Sequence, residues 1–122
     1  MRHALILTTF LAACAGHAAS RSAPAPAPKH IQTFGECLAE KVAVLYVASW
    51  CGHCHDQLEW LGDYALLIPV ADCEPPGSEN QTAECVGAHI EAYPTWRLRD
   101  NRRLEGAFPL TALAQALGCP AP

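Results

Sequence analysis

The side chains best placed for chemistry lie in one short run, Cys51-Gly52-His53-Cys54-His55. A thiolate, rather than a thiol, attacks a disulfide, and a cysteine at a helix N-terminus beside a histidine gains thiolate character. The spacing therefore makes Cys51 the accessible attacking residue and Cys54, one turn further in, the residue that resolves the mixed disulfide. His53, between them, is expected to stabilise the Cys51 thiolate, which favours the reduced pair and makes it more oxidising. The same residues satisfy Cys-x-x-Cys-His, the attachment signal of c-type haem. That reading needs a second histidine at the iron, because Met1 is the one methionine in the chain. A zinc site needs a second pair at similar spacing, and Cys73 and Cys85 are not so arranged. No metal is expected, and dithiol exchange needs no cofactor beyond the disulfide itself.

Elements that would position this pair can be read on both sides of it. Val42 to Ala48 is apolar at every position, the pattern of a central strand buried on both faces. Cys54, Leu58 and Leu61 recur at helical spacing after it. Upstream, residues 31–41 read as a short helix with Phe34 and Leu38 on one face. Downstream, residues 65–70 read as a second strand ending near Cys73, and residues 74–77 as a loop. Ser78 and Gln81 have capping-box spacing and predict a helix through Ile90. Residues 95–99 and 103–107 read as short strands around Asp100-Asn101, with Arg102 and Arg103 in a solvated turn. Leu110, Leu113, Ala114 and Leu117 form the stripe of a last helix stopped by Gly118. His89 falls on the third helix, Trp60 and Trp96 read as core, and Trp50 as part of a substrate surface. A buried strand, helix and strand followed by a hairpin imply an α/β fold with a central mixed sheet flanked by helices.

The 122 residues suffice for one small domain, and a net charge of −4 offers no basic face for nucleic acid. Seven cysteines in so short a chain suggest a disulfide framework if the compartment is oxidising. Residues 1–13 combine a positive start with a short apolar run, the form of a signal peptide. Leu11-Ala12-Ala13-Cys14 resembles the bacterial lipobox, in which the cysteine is lipidated. Cys14 would then anchor the domain on the periplasmic side of the bacterial cell envelope, whereas cleavage after Ala15 or Ala18 would release it. Residues 14–30 contain alternating Ala-Pro and read as a semi-stiff spacer. The folded domain is assigned to residues 31–122.

Tyr93-Pro94-Thr95-Trp96, about 40 residues beyond the cysteine pair, is where the chain resembles the thioredoxin superfamily. The resemblance implies a thioredoxin-like fold in which Pro94 is cis and the backbone before Thr95 receives a substrate strand. Trp50, Gly52, Tyr93, Pro94 and Thr95 would line the substrate site. The run from Ala48 to Gln57, Cys73, Gly77-x-Asn-Gln-Thr-x-x-Cys85, Gly106 and Gly118-Cys119 narrow the likeness. These residues resemble the thioredoxin-like domain fused to vitamin K epoxide reductase homologues in cyanobacteria and plants. That family's domain takes electrons from folding proteins and passes them to a membrane quinone reductase. The implied partners are therefore cysteine-containing substrate proteins and a vitamin K epoxide reductase-like membrane protein. Spacing alone leaves fifteen pairings open among six domain cysteines. The resemblance implies Cys73–Cys85 and Cys37–Cys119, against a relay in which Cys73 or Cys85 shuttles electrons to Cys51. The sequence departs from the family at two points. Gly-His stands between the cysteines where the fused domains often have Pro-His. Leu45 stands where general thioredoxins bury an acid, which argues against an efficient general reductant. A reductant or isomerase, and an inert disulfide-stabilised binding module, are the rival functions.

Overall fold

A computed structural model describes residues 33–122. The expected signal peptide, Cys14 and the expected spacer lie outside them. Helix α1 spans Phe34–Lys41, strand β1 Val42–Val47 and helix α2 Gly52–Leu61. A 3-10 segment, Gly62–Leu67, leads to β2 at Val70–Asp72. Helix α3 spans Ala83–Gly87, β3 Thr95–Leu98, β4 Arg103–Glu105 and α4 Leu110–Leu117. The sheet order is β2-β1-β3-β4, with β1 parallel to β2 and antiparallel to β3, and β3 antiparallel to β4. This mixed sheet flanked by helices is a thioredoxin-like fold. Among the described residues no helix is long and apolar enough to cross a membrane.

β1 owes its central place to its composition. Val42, Leu45, Tyr46 and Val47 are all buried, so neither face could tolerate water. One face packs with Phe34, Leu38, Leu61, Trp96, Leu98, Leu113 and Leu117. The other meets Cys73, Cys85, Ala88 and Ile90. The layer under α2 thus holds the end of β1 rigidly where the chain turns into Cys51.

Four expected boundaries move, each for an identifiable reason. The first helix starts only at Phe34 because Thr33 caps it, in a reciprocal capping box with Glu36. The strand expected at 65–70 is instead a 3-10 turn followed by β2. Leu66 is 84% exposed there, and pairing with β1 begins only where the Pro69 carbonyl accepts from Leu45 N–H. The capping box expected at Ser78 and Gln81 does not form. Ser78 Oγ donates to the Asn80 carbonyl, the Gln81 amide is engaged elsewhere, and Thr82 caps a shorter α3. His89 lies beyond that helix, at φ +53°.

Three side chains also sit differently from expectation. Trp60 is 43% exposed, because the buried face of α2 runs through Cys54, Gln57 and Leu61 and leaves it to one side. Arg103 is no free turn residue: its guanidinium donates to the Ala88 and His89 carbonyls, closing the end of α3. Gln57, which carries no apolar signal, is fully buried. Its amide donates to the Phe108 carbonyl and accepts from the Phe108 N–H, tying α2 to the segment before α4 as a strand neighbour would. Replacing it, as Gln57→Leu, strands both backbone groups. We expect a loss of about 2–3 kcal/mol in chemical denaturation, where an ordinary surface substitution stays near zero.

Candidate active site

The turn from β1 into α2 is made by Ala48, Ser49, Trp50 and Cys51, and Cys51 is itself the N-cap of α2. In this position its side chain serves a helix end whose backbone donors lack partners. Cys54 N–H points at Cys51 Sγ at 3.4 Å, and Sγ lies 3.7 Å from the Tyr93 carbonyl. A donor is thus aimed at the sulfur where negative charge would develop. Cys51 is only 5% exposed, less open than an attacking residue was expected to be, with its sulfur turned toward Tyr93. Cys54 is 1% exposed, and both are free thiols.

Burial pushes the Cys54 thiol up to about 12, reinforced by its hydrogen bond with Cys51 and the negative charges of Cys51 and Asp72, and opposed by the Ala48 backbone. Leu45, in β1 and in the same core cluster, is fully buried and supplies no carboxylate to take a proton. The folded dithiol therefore holds the Cys54 proton more tightly than the unfolded chain does. This contribution to stability is complete below the ordinary value of 9.0 and disappears as pH rises toward about 12. The disulfide form has no such proton. Comparing thermal unfolding of the two forms across pH 8 to 11 should show the dithiol losing ground as pH climbs.

Tyr93-Pro94 is a cis peptide bond, placed directly across from Cys51. Pro94 and Thr95 are buried, and Thr95 Oγ1 donates to the Ala92 carbonyl at 2.7 Å. Trp50 is 67% exposed and meets the Tyr93 ring edge-to-face at 5.9 Å. Glu74 joins the two rings, accepting from the Trp50 indole N–H and, at 3.2 Å, from the Tyr93 hydroxyl. Gln81 completes the set, its amide donating to the Tyr93 hydroxyl and to the Ile90 carbonyl. Burial raises the Tyr93 phenol above its usual range, so it stays protonated and can donate to Glu74. Sequence reasoning placed Glu74 only in the Pro-Pro-Gly loop and Gln81 only in a capping box, and gave neither a role at the site.

Gly52 and His53 are exposed in the first turn of α2. No hydrogen bond joins His53 to Cys51. His55 is the histidine engaged with the turn, its Nε2 2.7 Å from the Ser49 carbonyl. Ser49 Oγ donates to Asp72, whose other oxygen accepts from Glu74 N–H. Among the described residues no three His, Cys, Asp or Glu side chains gather as a metal site. Cys37 is bonded to Cys119 and Cys73 to Cys85. The first bond links α1 to the residue after α4, and the second closes the loop that carries Glu74 and Gln81.

No protein-family model matches the chain. Over 94 residues, 74% of its length, it is 34% identical to the Thiol-disulfide oxidoreductase LTO1 of Arabidopsis thaliana. The chain spans 23% of that relative. Together with the mixed sheet and the cysteine pairs, this likeness supports a thioredoxin-like relationship to a thiol-disulfide oxidoreductase.

Proposed function

We propose that this chain is a protein-disulfide oxidoreductase of the bacterial cell envelope, held there by lipidation of Cys14. It oxidises cysteines in substrate proteins and passes the electrons to a vitamin K epoxide reductase-like quinone reductase in the membrane. The observation that carries the reading is the pairing of a helix-capping Cys51 with a buried Cys54 against the Tyr93-Pro94 backbone.

In the oxidising direction, a substrate thiolate attacks Cys51 Sγ of the Cys51–Cys54 disulfide. The S–S bond breaks and Cys54 leaves, taking a proton as its burial requires. A second substrate thiolate then attacks the substrate sulfur of the mixed disulfide and releases Cys51 as thiolate. Two electrons have moved from substrate to protein, and the partner removes them. Trp50, Gly52, Tyr93, Pro94 and Thr95 frame the substrate strand, and His53 tunes the Cys51 thiolate. The absence of an acid at Leu45 favours this direction over general reduction. The haem reading suits the geometry less well, since both thiols are buried and His55 Nε2 is engaged with Ser49.

The reduction potential of Cys51–Cys54 in glutathione buffers tests the direction. A value of about −180 mV or above is expected for an oxidant of this kind. A value near about −270 mV would make the protein a reductant instead.

A further inference from the structure

The described cations are not evenly spread. Lys41, Arg97, Arg99, Arg102 and Arg103 are the Lys and Arg of residues 33–122, and all belong to α1's end, β3, β4 or the turn between these strands. The register places that turn at the far end of the sheet, since Leu98 pairs with Val42 whereas Thr95 pairs with Tyr46 near the thiols. The thiol end carries Asp72 and Glu74, both half-buried. Each is held by neutral donors: Ser49 and a backbone N–H on Asp72, Trp50 and Tyr93 on Glu74. These donors are neutral, so none of them brings a positive charge to offset either carboxylate.

Glu74 lines a cleft of about 320 Å³ whose other walls are Ser49, Trp50, Pro75, Pro76, Gly77 and Ser78. It thus offers an exposed indole, two rigid prolines, two hydroxyls and one carboxylate. A guanidinium or ammonium on an apolar stem matches such a wall, with the stem against the rings and the charge at the carboxylate or over the indole. An acidic side chain would meet Glu74 with no cation to relieve it. Because Trp50 precedes Cys51 directly, a residue seated here lies close along the substrate chain to its reacting cysteine.

We infer that this cleft is a specificity subsite that takes a Lys or Arg flanking the reacting cysteine of a substrate protein. The inference rests on the disulfide-exchange reading above. Glu74 selects the substrate by charge, and Trp50 provides the surface on which the stem lies. The sulfur chemistry is unchanged, because the subsite acts on formation of the mixed disulfide in either direction.

The test uses reduced two-cysteine peptides identical except for Arg, Gln or Glu beside one cysteine, in two series with the variable residue before or after it. Each is mixed with the oxidised chain at pH 8. Rates are divided by those of the same peptides with 2-hydroxyethyl disulfide, which removes the effect of the neighbour on the peptide thiol itself. In at least one series Arg should exceed Glu by about tenfold at low salt, and the contrast should shrink as salt screens it. Glu74→Gln should bring it within about twofold, since the charge is lost while a hydrogen-bonding group remains. Equal rates for Arg and Glu in both series on the unaltered chain overturn the subsite, as does a contrast that survives Glu74→Gln. If no peptide is oxidised at all, the exchange reading fails, and the subsite with it.

Discussion

Replacing Cys54 with alanine should stop the reaction halfway, leaving substrate chains covalently bonded to Cys51. The exchange passes through a mixed disulfide, and Cys54 is the thiol one turn away whose backbone N–H already points at Cys51 Sγ. Without that thiol the adduct has no internal route to resolution and must wait for an outside thiolate. Reduced Cys54→Ala protein mixed with a disulfide-containing substrate should therefore give a non-reducing gel band at the summed mass, removed by dithiothreitol. Cys51→Ser should form no such band, and its turnover should fall by about three orders of magnitude or more, as expected for loss of a nucleophile. Cys54 does not substitute for it, because it is 1% exposed and keeps its proton up to about pH 12. An adduct on Cys51→Ser at neutral pH would reverse the assignment of the two cysteines.

That assignment is legible in the sequence because it follows from chain direction: a buried strand ends and an amphipathic helix begins, so one cysteine caps and the next lies inside. The runs that are apolar for a single reason are equally legible, β1 by its unbroken apolar pattern and α4 by its stripe and Gly118. Illegible features depend on partners distant in sequence. Leu66 and Leu67 look like strand residues, but only the pairing of Val70 with Leu45 decides where β2 starts. Gln81 has the spacing of a helix cap, but Tyr93 and Ile90 offer its amide better partners. Gln57 reads as a surface residue until Phe108 arrives to satisfy both ends of its amide. Glu74 belongs to the same class, since its partners Trp50 and Tyr93 stand 24 and 19 positions away. The disulfide pairing comes from resemblance alone, because spacing leaves every combination open.

Removing Cys37 and Cys119 together should cost stability with little loss of activity, whereas removing Cys73 and Cys85 should cost both. The Cys37–Cys119 bond spans 82 positions and Cys73–Cys85 spans 12. Loop-closure entropy then gives losses of about 4.5 and about 3 kcal/mol for the Cys→Ala pairs. A domain of this size has a net stability of about 5–15 kcal/mol, so the first variant is left marginal. Its melting temperature should fall by about 20 °C or more. Urea unfolding would report these losses, with steeper slopes for the opened chains because their denatured states expose more surface. The two bonds differ in what they hold. Cys37–Cys119 ties α1 to the residue after α4 and does not close the loop that holds Trp50 and Tyr93. Cys73–Cys85 closes the loop whose first residue, Glu74, holds Trp50 and Tyr93, and whose Gln81 holds Tyr93 from the other side. Assayed well below its melting temperature, the Cys37→Ala/Cys119→Ala protein should exchange disulfides at close to the original rate. The Cys73→Ala/Cys85→Ala protein should be slowed by about tenfold even while folded, because the rings that face Cys51 are no longer fixed. Equal rates in the two variants would mean that Trp50 and Tyr93 keep their places without the loop, and that Glu74 holds them through its own hydrogen bonds alone.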